Sequence, residues 1–261
     1  MLVSLGLCAL TAGCGDGDEE QDARLDDLWA NEDDSEANDW VVEGMSCDGE
    51  DVVRLVEVVD EDSGPVARYI RGDECIDAGD LFWNSMPQKE GDSVQILMES
   101  ESQRRVAHRV EGIEEYGLRL IGSDDGDELE MRQVYRPTGP TPIPELSDFD
   151  LAGTWWMEGY LCIEELVPQL VRIIHPPGSL HMTKIRGDAC IGDGANFLDA
   201  QLSGTSVSGE AHLEEPSEFG FDDDEHPILE VSGTVRTEHF IGLAIDGQAV
   251  SLRRVMTGSA R

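Results

Sequence analysis

Lysine is nearly absent from this chain of 261 residues, which has only Lys89 and Lys184. Basic residues number 18 against 56 acidic ones, a formal net charge of −38. A field of that sign repels phosphate backbones, so nucleic acid is not expected as a partner. It favours solubility, cation accumulation or contact with basic surfaces, and a high-salt habitat accounts for it with no function attached. Recognisable reaction chemistry is missing as well. The chain has no Ser or Cys nucleophile motif, no glycine loop for phosphate and no dinucleotide fingerprint. Its carboxylates are too many for one pair to stand out as acid and base. No cysteines cluster as a four-thiolate zinc site requires. Five of the six histidines (His175, His181, His212, His226 and His239) fall in the second half, none of them at metal-binding i, i+4 spacing. The acidic run before His226, Asp222 to Glu225, lacks the glycine and terminal glutamate of a calcium loop. No catalytic residue, metal or cofactor is therefore expected.

What the chain does contain is itself, twice. At an offset of 115 residues Trp40, Glu43, Gly44 and Cys47 recur as Trp155, Glu158, Gly159 and Cys162. The run Ile70-Arg71-Gly72-Asp73-Glu74-Cys75-Ile76 recurs as Ile185-Arg186-Gly187-Asp188-Ala189-Cys190-Ile191. A register held through two blocks identifies a tandem repeat of one small domain. Each copy then closes on its own cysteines, Cys47 with Cys75 and Cys162 with Cys190, which implies an oxidising compartment. Within each copy, short β-branched segments punctuated by turn residues predict an all-β fold. Asp125-Gly126 and Asp246-Gly247 mark the last hairpin of each copy. The expected fold is two tandem antiparallel eight-stranded meanders, curled into barrels or half-barrels, with one disulfide each. The repeats span 40–136 and 150–257. The Pro-rich run 137–149 between them reads as a stiff spacer that lets each half fold separately.

Alternation on the first strand places Trp40, Val42 and Gly44 on one face, and Glu43, Met45 and Cys47 on the other. Glu43, Arg71 and Asp73, with Glu158, Arg186 and Asp188 in the second copy, are expected to form a structural polar layer beside each disulfide. The Arg71-Gly72-Asp73 tripeptide is read the same way rather than as an adhesion motif.

Residues 1–13 form a short apolar leader of the secretory type, and residues 14–39 carry 12 acidic residues and one basic one, Arg24. That segment is too polar to bury a core and is expected to be a disordered tether. Leu25, Leu28 and Trp29 fall within it at helical spacing. The tail Leu10-Thr11-Ala12-Gly13-Cys14 resembles the bacterial lipobox, with Thr11 where that motif usually has Leu. The resemblance implies acylation of Cys14 and membrane anchoring, and Gly15 implies the outer membrane. With no basic residue before the apolar run, the natural start is expected upstream of Met1. Leu151-Ala152-Gly153-Thr154-Trp155 resembles the Gly-x-Trp opening of lipocalin-like barrels. There the Trp plugs the closed end beneath an Arg of the last strand, which implies lids of Arg132 on Trp40 and Arg253 on Trp155. The first copy has Asn38-Asp39-Trp40 without the Gly, and both copies are short, so side chains are expected to fill the interiors.

The expected protein is a lipid-anchored envelope module that binds or scaffolds without catalysis, its protein or small-ligand partner unspecified. The alternatives are a hydrolase with its site in the second repeat, and an acidic protein that binds divalent cations.

Overall fold

The computed structural model describes residues 38–47, 49–62, 64–83, 87, 89–113, 117–123, 127–136, 150–159, 161–162, 165–166, 169–187, 191–212 and 228–256. Cys14 and the leader, the segment through residue 37, the 137–149 linker, Asp188, Cys190 and the 222–226 loop lie outside them. The described regular structure is entirely β. Strands β1 (Asn38–Cys47), β2 (Glu50–Glu61), β3 (Gly64–Tyr69), β4 (Leu81–Trp83), β5 (Ser93–Glu99), β6 (Arg104–Ile113), β7 (Gly117–Gly122) and β8 (Glu128–Val134) build the first copy. The second comprises β9 (Gly153–Glu158), β10 (Leu161–Cys162), β11 (Glu165–Leu166), β12 (Gln169–Ile174), β13 (Ser179–Arg186), β14 (Asn196–Ser203), β15 (Ser206–His212), β16 (Ile228–Thr237), β17 (Phe240–Ile245) and β18 (Gln248–Arg254).

Both copies are antiparallel eight-stranded meanders. The second is a closed barrel in which β9 pairs with both β12 and β18, and β10–β11 form a short hairpin. The first runs β4-β3-β2-β1-β8-β7-β6-β5 and is nearly closed, its seam lying between β4 and β5. Side chains bridge that seam. Arg105 of β6 donates to the Leu81 carbonyl at 3.2 Å, and the Tyr69 hydroxyl of β3 donates to the Leu97 carbonyl of β5. Apolar side chains fill both interiors: Val42, Tyr69, Phe82, Trp83 and Leu120 in the first, Trp155, Met182, Phe197 and Leu243 in the second.

Two local features redirect side chains from where strict alternation puts them. At Gly44 the β1–β2 register slips, which turns Met45 and Cys47 inward to join Trp40 and Val42. The bulge adds a residue to one strand and so resets the pleat. After Tyr69 the chain leaves the sheet. Asp73 accepts the Cys75 and Ile76 amides at 2.8 and 2.9 Å, and Ser100 N–H donates to the Cys75 carbonyl at 2.8 Å. The 70–80 segment thus folds across the barrel end, and Cys47 and Cys75 come to a Cα separation of 5.8 Å in a disulfide. In flat strands one and three they would stand about 9–10 Å apart. The Cys162–Cys190 pairing falls outside the described residues.

The stiff linker predicts barrels held apart, yet they share a face. Val41, Val53, Leu55 and Val134 of the first barrel pack with Trp156, Leu170 and Val255 of the second. Val134 and Val255 form an antiparallel bridge. Tyr135 N–H donates to the Arg254 carbonyl at 2.8 Å, and Met256 N–H to the Gln133 carbonyl at 2.7 Å. Repeat-equivalent residues exchange these bonds reciprocally, as across a twofold axis. Val41 corresponds to Trp156, Leu55 to Leu170 and Val134 to Val255. The same patch of each copy therefore meets its counterpart.

Candidate functional site

With both interiors filled, concave surface appears between the barrels. A cleft of about 400 Å³ there is lined by residues of both copies. Asp39 and Glu57 come from β1 and β2, Arg68 to Arg71 from the end of β3, Arg136 from beyond β8, and Glu158 and Arg253 from the second barrel. Four arginines line it against three carboxylates, in a chain whose formal charge is −38. Most of these charges are matched. Arg253, almost fully buried, pairs with Asp39 and lies 3.3 Å from Glu158. Arg136 lies 3.3 Å from Glu57 and 3.9 Å from Asp39. Arg68 pairs with Glu61 at 2.8 Å and donates to the Gly79 carbonyl. Arg71, partly buried, has no hydrogen bond or ion pair among the described residues. Ile70 beside it is exposed.

The expected polar layer does not assemble. Its members go to three places. Glu43 pairs with Arg132, and Glu158 with Arg253, so the repeat-shared Glu and Arg make the same pair in each copy. Asp73 is held by Arg54 in a bidentate pair at 2.7 and 3.2 Å, with Arg54 also over the Tyr69 ring at 5.7 Å. Arg186 reaches across the interface to Asp51 at 2.9 Å. Asp188 is outside the described residues.

The expected lids differ too. The guanidinium over the Trp155 ring, 5.7 Å from its centroid, belongs to Arg254. Arg254 also donates to the carbonyls of Asp150, Ala152 and Glu238, while the Trp155 indole donates to the Leu151 carbonyl at 3.0 Å. Register explains the one-residue shift. In an antiparallel pair, opposed residues share a face. Arg254 opposes the inward Trp155, and Arg253 opposes Trp156, which faces the other barrel. Likewise Arg132 opposes the outward Val41, and Gln133 stands opposite Trp40.

Sequence reasoning missed Arg54 and Tyr69, though Arg54 carried a signal as a lone cation inside Val52-Val53-Arg54-Leu55-Val56. The repeat equivalents are informative. Arg54 and Tyr69 correspond to Gln169 and Lys184, both buried. Lys184 bonds the Ile191 carbonyl and lies 3.5 Å from Asp193. Each barrel end thus holds one buried cation, contributed by different strands. Burial pushes the Tyr69 phenol well above its ordinary range.

Of the histidines, His181 pairs with Asp199 on the outer face of the second barrel, where both side chains are more than a third exposed. That hydrogen bond holds the Asp199 carboxyl below its ordinary value. His239 packs its ring against Tyr135 at 4.9 Å, and burial lowers its pKa. Among the described residues, three potential metal ligands converge at Cys47, Asp73 and Cys75. The two sulfurs are joined to each other and Asp73 is held by Arg54, so no thiolate is left to offer.

No protein-family model and no curated protein matches the sequence. Among solved structures, the chain is similar to isotype 1 transferrin binding protein B (TbpB) from serogroup B Neisseria meningitidis. The identity is 11% and the TM-score 0.28, over 84% of this chain and 43% of that one. The chain thus spans less than half the length of that protein.

Proposed function

We propose that this chain is a lipid-anchored binding module of the bacterial envelope, acting without catalysis through the cleft between its barrels. One observation carries the reading. Both barrel interiors are packed with apolar side chains, and among the described residues a ligand-sized cleft lies at the interface, where charged groups of both copies converge. Sites at the junction of two folded units are a common place for ligands. The anchor rests on the lipobox-like Cys14, and the membrane is then the first partner. The hydrolase alternative gains little from the His181–Asp199 pair, which stands on an outer surface instead of in a pocket.

Hydrogen exchange on the purified anchored protein, with and without detergent-solubilised envelope extract, tests the reading. Protection is expected in peptides covering 38–43, 68–71 and 136, together with 158 and 253. Protection confined to 196–212, on the far wall of the second barrel, would sink the cleft as the binding surface.

A further inference from the structure

The approximate twofold relation between the barrels gives the cleft a counterpart on the other side of the interface, and the two sides are not equivalent. On the counterpart side Arg186 meets two carboxylates, Asp51, reached across the interface at 2.9 Å, and Asp193 of its own barrel at 3.9 Å. Arg71 corresponds to Arg186, and the residue corresponding to Asp51 is Leu166. The backbone is conserved there. Leu161 faces Leu166 in the β10–β11 hairpin as Ser46 faces Asp51 in β1–β2. The carboxylate that reaches Arg186 across the interface is thus replaced on the other side by a residue without charge, and Asp193 has Ala78 as its equivalent.

Arg71 consequently lies in the cleft with an unused guanidinium. Arg104, Arg109 and Arg172 also have no partner among the described residues, but each stands in open solvent. Arg71 is partly buried, beside the exposed Ile70 and within a concavity where arginines outnumber carboxylates. The three carboxylates of the cleft are each engaged by Arg136 or Arg253, so none competes for it. A guanidinium presents parallel N–H donors that match a carboxylate in a bidentate pair. The chain's negative field falls off over a Debye length of about 8 Å at physiological salt, so it does not override a contact pair inside the cleft. On these grounds, and resting on the cleft-binding reading above, we infer that the cleft takes a small organic carboxylate. Its carboxylate pairs with Arg71 where Asp51 pairs with Arg186, and its apolar body lies against Ile70.

The test uses the full chain, nitrogen-15 labelled, with benzoate as the probe and benzamide and inorganic phosphate as comparisons. At about 10 mM benzoate, roughly ten times a millimolar Kd, the Arg71 Nε–H resonance is expected to move, while benzamide leaves it in place. Arg71→Gln is expected to weaken benzoate binding about 10- to 100-fold, the worth of a charged hydrogen-bonded pair. Leu166→Asp restores the missing carboxylate and is expected to abolish the response with Arg71 intact. A stationary Arg71 resonance, an equal response to benzamide, or an unchanged Kd in Arg71→Gln overturns the inference. A response to phosphate as strong as that to benzoate overturns the assignment to carboxylates. If extract protects the cleft in hydrogen exchange but benzoate does not bind, the anion assignment falls and the binding surface stands.

Discussion

At Gly44 and Gly159 the backbone takes φ of +87° and +93°, and an added methyl group would stand 2.0 and 2.3 Å from the carbonyl oxygens of Glu128 and Ala249. Only glycine accepts both the left-handed conformation and that approach. Gly159→Ala is therefore expected to destabilise the chain by at least about 1–3 kcal/mol, the cost of a strained backbone residue before the clash is added. Gly209→Ala is not a useful control, because its own Cβ would meet the Asp199 carbonyl at 2.2 Å. Gly178→Ala, with φ of +78° and open space around it, isolates the conformational share. Equal losses in urea melts of Gly159→Ala and Gly178→Ala would mean that the close approach contributes nothing. The repeat made these glycines legible as a shared feature, but not as bulges, and so Met45 and Cys47 were expected on the wrong face. The arginine lid was misread for a related reason. Matching residue type across copies selects Arg132 and Arg253, which repeat because each pairs with Glu43 or Glu158, whereas Arg254 has Gln133 as its counterpart. Identity between copies marks a shared role without saying on which face it is played.

Strands were the most legible elements. The eight-stranded antiparallel meander expected of each copy is the one observed, because in short meanders local sequence and tertiary pairing agree. Strand length is less legible where a loop carries apolar or charged residues at strand spacing. Strand β3 ends at Tyr69, just before the repeated run from Ile70 to Ile76, and that following loop is held by Asp73 and by the disulfide. What could be neither aligned nor patterned was the exchange of buried cations between strands, Arg54 on β2 against Lys184 on β13. It makes a prediction at this scale. Arg54→Gln alone strips Asp73 of its ion pair and is expected to cost about 2 kcal/mol. That lies below the roughly 3–5 kcal/mol of a fully buried pair, because Asp73 is 30% exposed. Adding Tyr69→Lys reproduces the arrangement of the second barrel, with an ammonium placed to reach the Ile76 carbonyl as Lys184 reaches that of Ile191. The pair should couple favourably by about 1 kcal/mol in a double-mutant cycle. Additive losses would show that the two barrel ends are not variants of one design.

For the molecule as a whole, the sequence conveyed two copies but not that they mate. The signal was present in strands apolar on both faces: Val53 and Leu55 alternate with Val52 and Val56 on β2, and Trp156 sits between Trp155 and Met157. A strand buried on both sides needs a second cover, which a barrel with a solvated exterior does not provide. The cover is the other copy's equivalent patch. A chain starting at residue 145 and running to 261 would lose it, exposing Trp156, Leu170 and Val255 together. Because the native interface is nearly self-complementary, that fragment is expected to fold and to pair with itself through the same face. Val255 would bridge Val255 of a second copy, and Met256 N–H would reach the partner's carbonyl at position 254. Sedimentation at about 50 µM should then show a dimer, a modest requirement for an apolar face of this kind. Val255→Asp should return it to a monomer by setting an unpaired carboxylate at the centre of the contact. A fragment that is monomeric and melts cooperatively without the substitution would mean that each barrel is stable with this face in water. The apolar patch would then need a reason other than the mating of the two copies.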